Sequence, residues 1–219
     1  MTWRHVLVVL VAVVLPGCAQ PIEGTATWPG ARLERAVLTA ADFPQGVQYD
    51  RLLPESGRVD GAGGPPAMMT RPEGCSDGLT RVIADSAERG PGSAAEYVVA
   101  YDGARMVITV LTSPLDLDRL ADVADRCAEF ETFFDPSTPG IPMTTTRLQT
   151  PRADALVYEQ TMRLSNVEDR IYFSFENVGG MAVFGIAFPT PNSSISVKGS
   201  LPQTFLDIVA KQADRAHSV

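Results

Sequence analysis

Histidine is almost missing from this chain of 219 residues: only His5 and His217 occur. His5 lies in a leader-like start, and His217 stands third from the end, where chains usually fray. A Ser–His or Cys–His nucleophile therefore lacks its base. Zinc sites built on two or three histidines are excluded as well, so neither a metal nor another cofactor is expected. The sequence contains no Gly-x-Ser-x-Gly elbow, Walker loop or dinucleotide fingerprint. Lysine is as scarce, at Lys198 and Lys211 alone, and 18 basic residues face 26 acidic ones for a net charge of −8. Such a surface repels phosphate backbones, which excludes nucleic acid as the expected partner and argues against electrostatic docking on anionic lipid. The apolar run Val6 to Leu15 is ten residues long, about 15 Å as a helix. Roughly 20 residues are needed to cross a bilayer.

That short run is informative in itself. Arg4 precedes it and small residues follow, the layout of a signal peptide. The boundary Leu15-Pro16-Gly17-Cys18 matches a lipobox, with Leu three before the cysteine and a small residue directly before it. Pro16 is a departure, since Ala or Ser is commoner there. Ordinary secretory cleavage near Gly17-Cys18-Ala19 is the alternative. Under the lipobox reading, residues 1–17 are removed and Cys18 carries acyl chains, each buried CH₂ contributing about 0.8 kcal/mol. Residues 18–35, with Pro21, Gly24, Pro29 and Gly30, form a tether, and 36–219 form a single extracytoplasmic domain. The 45% hydrophobic content suits one domain with a real core. The expected location is the outer face of the cell membrane, held by the lipid.

With Cys18 acylated, Cys75 and Cys127 remain, and an even pair in an exported domain reads as a disulfide. Two free buried thiols are the alternative. The bond would close a loop worth about 4 kcal/mol in the chain-entropy model.

Along the domain, a strand is expected near Val47–Leu52, then a Gly/Pro-rich loop from Pro54 to Gly74. Ser76–Arg89 reads as a helix stopped by Gly90-Pro91-Gly92. Asp102-Gly103 joins two strands as a two-residue turn, pairing Tyr101 with Ala104, Val99 with Met106 and Tyr97 with Ile108. A second helix is expected over Leu115–Thr132, with Cys127 on its buried side. Strands follow over Thr144–Thr150, Ala155–Leu164, Asp169–Asn177 and Met181–Phe188, and a helix over Pro202–Ala216 closes the chain. A turn at Val178-Gly179 would set Phe175 opposite Ala182, Phe173 opposite Phe184 and Tyr172 opposite Gly185. The expected fold class is α+β: an antiparallel sheet of about six strands packed with three helices and one disulfide.

Candidate sites are few. Asp118, Asp122, Asp125 and Glu129 recur at helical spacing, either as a cation or partner site or as the solvated side of an amphipathic helix. Glu159 and Glu176 are an example of a carboxylate pair that a glycosidase could use, or else exposed charge on the sheet face opposite the core. Tyr172, Met181 and Val183 share the sheet face opposite the main core, which implies either a second helix layer or a groove for an apolar ligand. Met68 and Met69, in the long loop, suit adaptable contacts.

The lipobox ending at Cys18, the entry segment Asp42-Phe43-Pro44-Gln45-Gly46 and the Cys75/Cys127 pair resemble small envelope lipoproteins of mycobacteria and their relatives. In outline, residues 36 to 217 are similar to the extracellular sensor domain of PknH-type receptor kinases. The resemblance implies a non-catalytic, ligand-sensing or partner-binding module of the cell envelope. An envelope lipid carrier with an apolar cavity is the alternative function, and a carboxylate-only hydrolase a third. The ligand or protein partner is not legible.

Overall fold

The computed structural model describes residues 30–52, 68–86, 90, 92–164 and 167–219. Four α-helices and nine strands follow in the order α1 (Ala31–Ala36), β1 (Gln48–Leu52), β2 (Met69–Arg71), α2 (Gly78–Ser86), β3 (Ala94–Tyr101), β4 (Gly103–Leu111), α3 (Leu117–Arg126), β5 (Glu129–Phe133), β6 (Ile141–Arg147), β7 (Ala155–Leu164), β8 (Val167–Val178), β9 (Met181–Thr190) and α4 (Gln203–His217). All nine strands join one antiparallel sheet in the order β1-β3-β4-β9-β8-β7-β6-β5-β2. The expectation of about six strands and three helices is therefore overturned by a strand-rich molecule with a single nine-stranded sheet.

Two differences have clear local causes. Glu129–Thr132 was expected to continue the second helix, but α3 ends at Arg126 with Cys127 as its C-cap. The following Glu-Phe-Glu-Thr-Phe alternates at the strand period, burying Phe130 and Thr132. The β8–β9 register is also displaced by two residues from the expected one. The turn is Gly179-Gly180, with φ of 53° and 84°, and two positive φ values are what a tight hairpin turn needs. Phe175 therefore faces Phe184, Tyr172 faces Ala187, and Ser174 rather than Tyr172 lies opposite Gly185. A shift of two keeps every side chain on its expected face. The β3–β4 register agrees with the expected pairs.

Both faces of the central strands are covered. On one, α1 and α4 pack Leu33, Phe205, Ile208 and Val209 against Tyr97, Met106, Ile108, Tyr172 and Val183. On the other, α2 and α3 place Leu79, Ile83, Leu120 and Ala124 on Leu156, Phe173, Phe175 and Phe184. Phe175 stacks on Phe184 with ring centroids 5.3 Å apart. Residues 31–35 were expected to belong to the tether, but Leu33 of α1 is 1% exposed and part of the core. The Cys75–Cys127 disulfide is present, with Cα atoms 5.5 Å apart. It joins the segment leading into α2 to the C-cap of α3, beside Phe130.

Gly185 shows how closely α4 sits. A Cβ there would lie 2.8 Å from Phe205, 2.9 Å from Val209 and 3.0 Å from Ile108. Gly185→Val should destabilise the domain by about 1–3 kcal/mol, the usual cost of overpacking a filled core. Urea melts of the variant against the parent protein would measure it.

Candidate functional site

The sheet separates the residues that the sequence suggested as one binding surface. Tyr172, Met181 and Val183 lie on β8 and β9 under α1 and α4, each no more than 3% exposed. Their apolar character is thus met by a helix layer. Burial raises the Tyr172 hydroxyl's pKa, and Glu159, to which it donates a hydrogen bond, raises it further. Met69 sits on the edge strand β2, 48% exposed. Three strands, β7, β6 and β5, lie between it and β8. Met68 is half-buried, and its backbone is tied to the Ser76 hydroxyl, which accepts from the Met68 N–H at 2.9 Å and donates to its carbonyl at 3.0 Å. Most of the Gly/Pro-rich loop, residues 53–67, lies outside the described residues, as does Cys18.

The carboxylates are distributed rather than convergent. The β7–β8 pairing sets Glu159 opposite Tyr172 and Ala155 opposite Glu176. The two glutamates are thus four residues apart along neighbouring strands, roughly 14 Å between Cα atoms at strand spacing. Glycosidase carboxyls stand about 5–10 Å apart. The Glu176 carboxylate is buried and accepts bidentate bonds from Arg152 at 2.6 and 2.8 Å. Arg152 also donates to Asp214 of α4 at 2.8 Å, so the trio fastens the β6–β7 connection to the helix layer. Asp118, Asp122 and Asp125 lie exposed on α3, while Glu129 is on β5 and breaks the presumed stripe. Among the described residues, no group of three or more His, Cys, Asp or Glu could hold a metal ion.

Open grooves occur among the described residues. One, about 440 Å³, runs over Val98 and Ala100 between Asp50, Arg105 and Asn192. Another, about 310 Å³, lies between α2 and α3 and is lined by Arg81, Arg119 and Arg126. Arg81 pairs with Asp77 at 2.6 Å and Arg119 with Asp85 at 2.7 Å, while Arg126 donates to the Glu73 carbonyl at 2.8 Å. These guanidinium groups are already engaged. Sequence reasoning missed the exposed apolar side chains at the far end of the sheet. Phe134 is 79%, Leu164 50% and Val167 59% exposed. They sit at loop junctions, where no periodicity marks them.

The entry segment is a clasp. Asp42 accepts from the Thr39 N–H at 2.8 Å and from Arg215 of α4 at 2.7 Å. Phe43 packs on Tyr49 and Tyr97, and Lys211 lies over its ring.

Compared with known proteins, the chain matches no family model and no curated protein. Among solved structures it is similar to an uncharacterised protein (Rv0999 ortholog) of Mycobacterium smegmatis. The likeness has 13% identity over 82% of this chain and 93% of that one, at a TM-score of 0.49. That is too low to transfer function.

Burial alone would raise the Asp42 pKa, but the Thr39 hydrogen bonds, Arg215 and Lys211 outweigh it and hold the carboxyl below its ordinary value. A depressed carboxyl contributes stability above its unfolded pKa and loses it as pH falls through the folded one. Asp42→Asn, which gives up the charge facing Arg215 and Lys211, should therefore cost about 0.5–1 kcal/mol at pH 7, the upper range for a partly exposed ion pair. The difference from the parent should shrink as pH falls below about 4. Urea melts at pH 7 and pH 3 give both values.

Proposed function

We propose that this chain is a lipoprotein held at the extracytoplasmic face of the cell membrane by acyl chains on Cys18. Residues 1–17 are its signal peptide, and its domain is a non-catalytic module that binds an envelope ligand or protein. The observation that carries the reading is the Cys75–Cys127 disulfide. Such bonds persist in oxidising compartments outside the cytoplasm. It also accounts for two of the three cysteines, leaving Cys18, at the end of the lipobox, for lipid.

Binding rather than catalysis is supported by the state of the polar side chains. Glu176 is neutralised by Arg152, and Glu159 lies 3.6 Å from Arg170. Both oxygens of Glu176 are held by the Arg152 guanidinium, so neither is turned toward a cleft. A lipid carrier would need an enclosed apolar cavity, whereas Tyr172, Met181 and Val183 pack solidly on the helix layer. The sensor-like part of the proposal comes from the resemblance to mycobacterial envelope lipoproteins and PknH-type sensor domains.

Mass spectrometry of the mature protein should find its N-terminus at Cys18 with acyl mass, and Cys18→Ala should leave the chain uncleaved or free of the detergent phase. An N-terminus at Gln20 without acyl mass overturns the anchor. Cys75→Ser should cost about 2–5 kcal/mol in a chemical melt. Labelling of denatured, unreduced protein should find neither Cys75 nor Cys127 free.

A further inference from the structure

The large exposed apolar side chains are not scattered. Leu164 pairs with Val167 at the far end of the β7–β8 hairpin. Met143 pairs with Met162, which brings Ile141 level with Leu164. Thr132 pairs with Ile141, and Met69 with Phe133. Phe134, Met69, Leu164 and Val167 therefore all stand at one end of the sheet. They make up four of the five large hydrophobic residues exposed among the described residues, at 79%, 48%, 50% and 59%. The hairpin also extends there beyond the β8–β9 ladder, which ends at Tyr172–Ala187. Lone exposed apolar residues need no explanation, but clustered ones mark contact surfaces.

We infer that this tip docks into an apolar depression on a partner protein that lies away from the membrane. Position argues for the direction. Arg32, two residues into the described chain, donates to the carbonyls of Gly179 and Val219 at 3.2 and 3.3 Å. The chain thus enters beside the β8–β9 turn, at the end opposite the tip. Along β8 the two ends are about 37 Å apart at strand rise. The twelve Cα–Cα steps from Cys18 to Gly30 reach at most about 43 Å. A tip in contact with the anchoring bilayer would need that stretch almost fully drawn out. This direction rests on the anchor proposed above; the tip itself does not.

Charge argues for a protein rather than a lipid surface. Arg163 and Arg170 pair with Glu168 at 3.0 and 2.7 Å, and Arg71 with Glu131 at 3.6 Å. Asp169 adds a further exposed negative charge. The tip offers no net positive charge to an anionic headgroup layer. Aromatic and aliphatic side chains flanked by arginines are a composition enriched at protein interfaces. On a chain of net charge −8, the partner's rim is neutral to basic.

The test uses the full chain in the cells that make it. A photo-crosslinking amino acid replaces Phe134, Val167 or, as a control, exposed Asp207 on α4. Positions 134 and 167 should join the same protein and position 207 should not. Leu164→Lys, which melts with the parent because the side chain is half exposed, should lower the adduct yield about tenfold or more. The isolated adduct protein should bind purified Cys18→Ala chain and bind the same chain carrying Leu164→Lys about tenfold more weakly. No protein adduct, an adduct of the chain's own mass, a yield unmoved by Leu164→Lys, or flotation of Cys18→Ala chain with anionic vesicles would each overturn the inference. The anchor is read separately, from the mass at Cys18.

Discussion

Burial of β4, β9 and β8 on both faces is the constraint on which the rest of this fold depends. From Met181 to Ala187 every residue of β9 is buried, so neither set of alternating side chains reaches water. Such a strand cannot slip by one residue without exchanging two different cores. One core is aliphatic with tyrosines, under α1 and α4; the other stacks Phe173, Phe175 and Phe184 under α2 and α3. Gly185 lets α4 approach the first, and Ala182 leaves room for phenylalanines in the second. The Gly179-Gly180 turn holds both arrangements in register.

This explains what could be read from the residues and what could not. Asp102-Gly103 admits one two-residue turn, and the β3–β4 pairs follow from it. Val178-Gly179-Gly180-Met181 admits more than one, and registers two apart satisfy the same alternation. Only the positive φ at both glycines decides between them. The alternation of Tyr172, Met181 and Val183 showed a second apolar face, but not that six residues at Ala31–Ala36 would help cover it. So short a helix has too few turns to display a period, and Pro29-Gly30 before it reads as linker. Glu129–Phe133 was hidden for the opposite reason: the helical spacing of Leu117, Leu120, Ala124 and Cys127 ran straight up to it.

The candidate site was less legible than the fold because its parts come from separate turns. Cys75 and Cys127 could be paired by counting. Arg152, Glu176 and Asp214 could not, since a loop, a strand and a helix each supply one. Nothing in sequence spacing brings Phe134 to the same end as Val167; only the chain of registers through β6 and β7 does so.

The two halves of the sheet meet different physical demands. Strands β4, β9 and β8 have helices on both sides. On β6, β5 and β2, and on β7 beyond Tyr158, the packed face is the one toward α3 and the disulfide. The other face carries Thr144, Thr146, Thr161, Glu129 and Glu131 at exposed or half-exposed positions. That is the alternation of an antiparallel sheet with one side in water. The Arg152–Glu176–Asp214 linkage stands at the border, where the helix layer ends. A scaffold made rigid by one doubly buried half can hold the other half open to solvent without unfolding. Residues there are then free of the packing constraint that fixes Gly185 or Phe175. Apolar side chains kept in water on such a half contribute nothing to the core, which is consistent with the docking role proposed for the tip.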